Sequence, residues 1–169
     1  MSKTLKTIYL AGFDVFLPNP VEHGDKLKAI ACEHGLVGNF PLDNVVEAGR
    51  IPEETAEKIA FANIDLIKKS DAVVANANSF RGYEPDSGTM FEIGFAVALN
   101  KPVFVYMEDH RPMYEKVPNA LGVDDQGFSV ENFNLPVNLM IACTAKGIYR
   151  TYAEAVQAVV EYNKAIESV

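Results

Sequence analysis

Short apolar runs closed by glycine or proline alternate along this chain with longer amphipathic stretches, and the period of each run predicts its element. Thr7-Ile8-Tyr9-Leu10-Ala11, stopped by Gly12, predicts a buried strand. Val21 to His34 follows as a helix that Gly35 ends. Val37 to Phe40 is a second short strand, halted at Pro41, and a loop runs through Arg50. Pro52-Glu53-Glu54 opens a helix with proline in its first turn and acids at the positive end of its dipole, and Lys68-Lys69 suit the opposite end. Asp71 to Ala75 is a third strand, Asn76 to Pro85 a polar loop, Gly88 to Leu99 a helix and Pro102 to Tyr106 a fourth strand. The 108–135 segment is long for a connection without structure of its own, which marks it as functional. Pro136 to Cys143 starts a short helix, Gly147 to Tyr149 is a fifth strand and Thr151 to Glu167 a closing amphipathic helix.

Strands that alternate with helices predict an α/β fold, in which a parallel sheet is covered on both faces. Five such units fit a flavodoxin-like doubly wound order, with the ligand crevice between the carboxyl ends of the first and third strands. At 169 residues the whole chain, 1–169, reads as one domain. There is no internal repeat and no low-complexity segment.

Charge narrows the function. Fifteen Lys+Arg against 23 Asp+Glu give a net −8, which repels phosphate backbones and argues against nucleic-acid or membrane-surface partners. No apolar run approaches the roughly 20 residues of a membrane span. Residues 1–7 enter the first strand without a leader-like core. Cys32 and Cys143 are too few for a disulfide framework and have no metal-ligand spacing, so the expectation is a cytoplasmic, reduced protein. Cys143, after Leu139-Met140-Ile141-Ala142, reads as core. His23, His34 and His110 share no ligand spacing, and Ser79 and Ser87 have no paired-histidine motif.

The crevice lacks both a glycine-rich dinucleotide fingerprint and a Walker lysine loop. The first strand exits through Gly12-Phe13-Asp14-Val15-Phe16, in which aromatics beside an acid suit a flat hydrogen-bonding ligand such as a nucleobase. Core packing of Phe13 and Phe16 is the competing account. After the third strand, Glu92 lies on one helical stripe with Phe95, Ala96 and Leu99, near a helix N-terminus. It is either a nucleophilic carboxylate or the reciprocal partner of Thr89 in a capping box. Asp86 is either the helix N-cap or an acceptor for sugar hydroxyls. Asp65 is either a second carboxyl facing the crevice or a surface partner of Lys69.

The runs Ile8-Tyr9-Leu10-Ala11-Gly12, Asp65-Leu66, Asp86-x-Gly88-Thr89-x-x-Glu92-x-Gly94 and Asn138-Leu139-Met140 together resemble nucleoside 2-deoxyribosyltransferases, in the family's order and over most of the chain. The resemblance implies that Glu92 attacks the anomeric carbon of a 2′-deoxynucleoside and forms a covalent deoxyribosyl ester. It implies that Asp65 protonates the departing base, Asp86 holds sugar hydroxyls and Tyr9 positions the nucleophile. It further implies that Asn138 reaches the 5′-hydroxyl from a neighbouring subunit. The implied partners are 2′-deoxynucleosides and free nucleobases, in a homo-oligomer with shared sites and no metal or organic cofactor. Where several relatives have proline, this chain has Phe13, a residue bordering the base pocket. Two alternatives stand beside transfer: hydrolysis of 2′-deoxynucleoside 5′-monophosphates, and a non-catalytic nucleoside-binding module. A carboxylate at Asp86 repels phosphate and favours free nucleosides.

Overall fold

The structure is a computed structural model that describes residues 4–168. Residues 1–3, on which the reading of a leaderless start partly rests, lie outside the described residues, as does residue 169. Five parallel strands form one sheet in the order β2-β1-β3-β4-β5, the arrangement expected for a flavodoxin-like chain. They are β1 (Thr7–Ala11), β2 (Val37–Asn39), β3 (Ala72–Asn76), β4 (Val103–Tyr106) and β5 (Ile148–Tyr149). The helices are α1 (Pro20–Glu33), α2 (Pro52–Lys69), α3 (Ser87–Ala98), the single turns α4 (Met113–Lys116) and α5 (Leu139–Ala142), and α6 (Tyr152–Glu167). Among the described residues no helix is long and apolar enough to cross a membrane.

Strand alternation divides the interior into two layers. Ile8 and Leu10 of β1 join Val74, Phe104 and Tyr106 against α1 and α6. Tyr9 and Ala11 join Val73, Ala75 and Val105 on the other face, against Ile67 of α2 and Ile93 of α3. A parallel sheet covered on both sides leaves only its strand ends for polar work, and the chemistry-bearing residues gather at the carboxyl ends of β1 and β3.

The element boundaries differ from expectation by one to three residues, the most at α5, which starts at Leu139 where Pro136 was expected. Three differences are larger. Phe13–Phe16 form a 3-10 turn at the exit of β1, so this exit is not an open loop. The 108–135 segment contains α4 and is pinned at its end, where Met113 N–H donates to the Leu135 carbonyl at 2.9 Å and the buried Lys116 ammonium donates to the Pro136 carbonyl. Cys143, expected in the core, is exposed, because it falls just past the last turn of α5.

Gly24 is buried in α1 where the helix crosses Phe40, the residue after β2. A Cβ there would lie 2.5 Å from the Phe40 ring, which is itself buried. Alanine normally gains about 1 kcal/mol over glycine inside a helix. Overpacking against a ring that cannot turn aside costs about 1–3 kcal/mol and outweighs that gain. Gly24→Ala is therefore expected to lower the urea midpoint, whereas an unchanged or raised midpoint would show that α1 can lift off Phe40 freely.

Candidate active site

Tyr9 is fully buried in the middle of β1, and only its hydroxyl reaches the carboxyl edge of the sheet. There it donates a 2.5 Å hydrogen bond to Glu92 Oε1. Glu92 arrives from α3. Asp86 is the N-cap of that helix, and its Oδ2 accepts from Thr89 N–H at 3.0 Å and from the Thr89 hydroxyl at 3.2 Å. The helix therefore starts at Ser87 and Thr89 is already its third residue, so the Thr89–Glu92 capping box does not form. Glu92 instead falls on the inward stripe with Thr89, Ile93 and Ala96, all buried, and turns to Tyr9.

A carboxylate taken out of water resists ionisation. Burial, with a further push from neighbouring Asp86, raises the pKa of Glu92 to about 7, and the hydrogen bond from Tyr9 works against that rise. Burial first, and then the Glu92 charge, hold the Tyr9 hydroxyl far above its usual range, so it remains a donor. The arrangement is a half-ionised carboxylate at neutral pH, aimed by a fixed donor, beside a second carboxylate. Asp86 Oδ1 has no partner among the described residues and is free to accept from a ligand.

The exit of β1 borders this pair. Gly12 passes so close to the residues behind it that a Cβ would lie 2.1 Å from Asp14 Oδ2 and 2.8 Å from Asn76 Cβ. Asp14 is buried and accepts from His23 Nε2 at 2.8 Å and from Asn76 Nδ2 at 3.2 and 3.0 Å. Its carboxylate is thus spent inside the protein. Phe13 and Phe16 do not pack the core. Both stack on Phe80 of the β3–α3 loop, with centroids 5.2 and 5.4 Å apart, and Phe16 is 60% exposed. The Arg81 guanidinium lies 4.7 Å from the Phe80 centroid. The mouth of the crevice is an aromatic platform with a cation on it.

Two residues named from the sequence are not brought to Glu92 within the chain. Asp65 lies on the solvent side of α2, where its side chain is 59% exposed and pairs with Lys68 at 3.1 Å. It forms a surface ion pair with Lys68, where the sequence suggested Lys69, and its carboxylate is not brought to Glu92 within the chain. Asn138 caps α5: its Oδ1 accepts from Met140 N–H at 3.0 Å and its Nδ2 donates to Glu131 Oε1 at 2.5 Å.

Two others were missed. Asn63 Oδ1 on α2 and Asn44 Nδ2 in the β2–α2 loop are enclosed yet have no hydrogen-bond partner. Buried polar atoms are nearly always satisfied, so orphans of this kind suggest a missing ligand. Helix α2 runs antiparallel to the strands, so Asn63 sits one turn above Ile67, toward the carboxyl edge. A polar residue interrupting the Asn63-Leu66-Ile67 stripe was the available signal in the sequence. His23, set aside for lack of ligand spacing, is the partner of Asp14. Among the described residues no cluster of histidine, cysteine or acids is fit to hold a metal ion.

The pattern of the family described as nucleoside 2-deoxyribosyltransferase matches residues 8–140. A solved 2-desoxiribosyltransferase of Leishmania mexicana is 38% identical, with 93% of this chain and 98% of that one covered and a TM-score of 0.81. A 2-deoxyribosyltransferase of Bacillus psychrosaccharolyticus is 19% identical over 91% of this chain and 95% of that one, with a TM-score of 0.62, a likeness of fold. An uncharacterised protein of Schizosaccharomyces pombe is 36% identical over 113 residues, 65% of this chain, and the match spans about half (54%) of that protein's length.

Glu92 links stability to pH. Because its folded pKa is raised from 4.5 to about 7, the folded state binds more protons than the unfolded state between those values. Its contribution is therefore full below pH 4.5 and is lost as pH rises to about 7. Glu92→Gln keeps an acceptor for Tyr9 and removes the charge. The variant is expected to match the wild type at pH 4.5 and exceed it by about 1–3 kcal/mol at pH 8 in urea melts. A difference that does not change with pH would mean the buried carboxylate is not the titrating group.

Proposed function

The chain belongs to the nucleoside 2-deoxyribosyltransferase family, and from that premise we propose that it exchanges the base of 2′-deoxynucleosides by double displacement at Glu92. The observation that carries the reading is the Tyr9–Glu92 bond at the crevice, which aims a partly ionised carboxylate where the sugar would sit. The ionised carboxylate attacks C1′, the C1′–N bond breaks with its electron pair going to the base, and a deoxyribosyl ester forms. The departing base takes up one proton from solvent; a second base then attacks C1′ through its ring nitrogen, gives up its own ring N–H proton to solvent and returns the carboxylate. Two inversions retain the β configuration. Exchange should accelerate as pH rises through about 7, where Glu92 ionises.

Asp86 Oδ1 accepts from a sugar hydroxyl in this reading. With two carboxylates side by side, a substrate phosphate would be repelled, which favours free nucleosides and transfer over hydrolysis of monophosphates. The base lies against Phe13 and Phe16, and the exposed face of that platform supports this placement. With Asp65 turned to solvent, contact with the base passes to Asn63, whose orphan Oδ1 accepts from a base N–H.

Incubating the protein with a deoxynucleoside and a second free base separates the alternatives by chromatography: exchanged nucleoside, free sugar only, or binding without turnover. Glu92→Ala is expected to lose exchange by at least about 10³-fold, the scale on which nucleophiles contribute. A 2-fluoro-2-deoxy analogue should add one sugar mass to the peptide carrying Glu92. Labelling at another carboxylate would move the nucleophile there.

Asn63→Leu removes an unpaired buried amide, so stability should hold or rise. The acceptor base should bind about tenfold more weakly, the scale of one lost hydrogen bond. Unchanged base affinity would leave Asn63 outside the site.

The remaining part is Asn138. In the reading it serves the site of an adjacent subunit of a homo-oligomer, where it holds the 5′-hydroxyl. Inactive Glu92→Ala and Asn138→Ala chains, refolded together, should recover part of the activity, because mixed assemblies contain sites with both residues intact. Heteromers that form and stay inactive would reduce Asn138 to the α5 cap.

A further inference from the structure

The carboxyl edge of the sheet carries a second polar cavity, on the face opposite Glu92. Tyr9 and Ala11 turn toward α2 and α3, whereas Asn76 follows Val74 on the face of α1 and α6. There a cavity of about 560 Å³ opens, with Asp14, His23, Asn76 and Asn78 as its polar floor and Tyr106, Tyr152 and Leu27 among its walls. Glu92 and Tyr9 do not line it. Its size suits a small organic ligand.

Accounting for hydrogen bonds shows what such a ligand must offer. The Asp14 carboxylate is filled by His23 and Asn76. Asn76 Oδ1 accepts from Asn78 N–H at 3.1 Å and from Asn78 Nδ2 at 2.8 Å. Asn78 Oδ1 accepts from Glu108 N–H at 2.8 Å. Three functions on the lining have no partner among the described residues: the second ring nitrogen of His23, the carboxylate of Glu108 and the proton of the Tyr106 hydroxyl, whose oxygen accepts from Asn76. When His23 donates from Nε2 to Asp14, neutral Nδ1 is an acceptor, as is Glu108. Asp109, paired with Arg111, adds a second carboxylate at the rim. Two vacant acceptors, one of them a carboxylate, a vacant Tyr106 donor and aromatic walls disfavour phosphate and fit a flat, uncharged ring bearing N–H donors and a ring-nitrogen acceptor.

We propose that this cavity is a second, non-catalytic site for an amino-substituted nucleobase, with His23 and Glu108 accepting its N–H groups. The choice of a nucleobase among flat N–H-bearing rings rests on the transferase reading, whereas the polarity of the cavity stands without it. Occupancy would be felt at the first site, because Phe13 lines the cavity and Gly12 lies directly on Asp14.

The test is nitrogen NMR of the imidazoles with adenine as the probe. Adenine at millimolar concentration is expected to shift the His23 ring signals in the wild type and equally in Glu92→Gln. Unsubstituted purine, which lacks the exocyclic amine, should bind about tenfold more weakly. Ser79→Trp at the mouth, or Leu17→Trp if the first variant fails to fold, should abolish the His23 response while base exchange continues. No response of His23, equal response to purine, or a response lost in Glu92→Gln would each overturn the proposal. None of these readouts needs turnover: exchange without a His23 response defeats this inference alone, and a His23 response without exchange defeats the transferase reading alone.

Discussion

A carboxylate buried beside a sheet needs a donor that cannot drift away, and the Tyr9 hydroxyl supplies it for Glu92. Tyr9 can do so because its ring is enclosed in the core, with neighbours on β1, β3, α2 and α3 fixing where the hydroxyl emerges. The hydrogen bond lowers the cost of the charge without cancelling it, since burial still prevails and the group titrates near 7. The core on that face therefore does two jobs. It stabilises the fold by apolar burial, and it holds a destabilising group in one orientation.

The same edge of the sheet is built differently on its two faces. Toward α2 and α3 two acceptors, Asp86 Oδ1 and Asn63 Oδ1, have no partner among the described residues, beside a partly protonated Glu92. Toward α1 and α6 they are nearly all consumed in the chain His23–Asp14–Asn76–Asn78. Gly12 is the seam. Its missing side chain lets the backbone lie on the Asp14 carboxylate, so the filled network on one face is the floor against which the open one is set. The proposed transfer uses the open face, and the second cavity lies on the filled one.

Much of this was legible along the chain. Short continuous apolar runs alternating with amphipathic stretches imply a parallel sheet covered on both faces. The order β2-β1-β3-β4-β5 is the flavodoxin-like doubly wound order that five alternating units fit. Glu92 stood out as a carboxylate on an apolar stripe, open between a nucleophile and a capping box, and the family resemblance added Tyr9 beside it. Asp86 was legible as a cap, and that same cap shifted the helix start and removed the competing role for Glu92.

Tertiary structure decided what local spacing leaves open. Asp65 and Asn63 are two residues apart on one helix, some 200° around its axis by helical geometry, and only the packing of Ile67 against the sheet shows which of them turns inward. His23 and Asp14, nine residues apart, meet because a 3-10 turn folds the β1 exit back toward α1. Phe13 and Phe16 read equally well as core or as platform until Phe80 arrives from another loop and leaves Phe16 at the surface. Periodicity along a chain determines which elements form and which faces they bury. Convergence of side chains from distant elements depends on how those elements pack, and no local pattern encodes it.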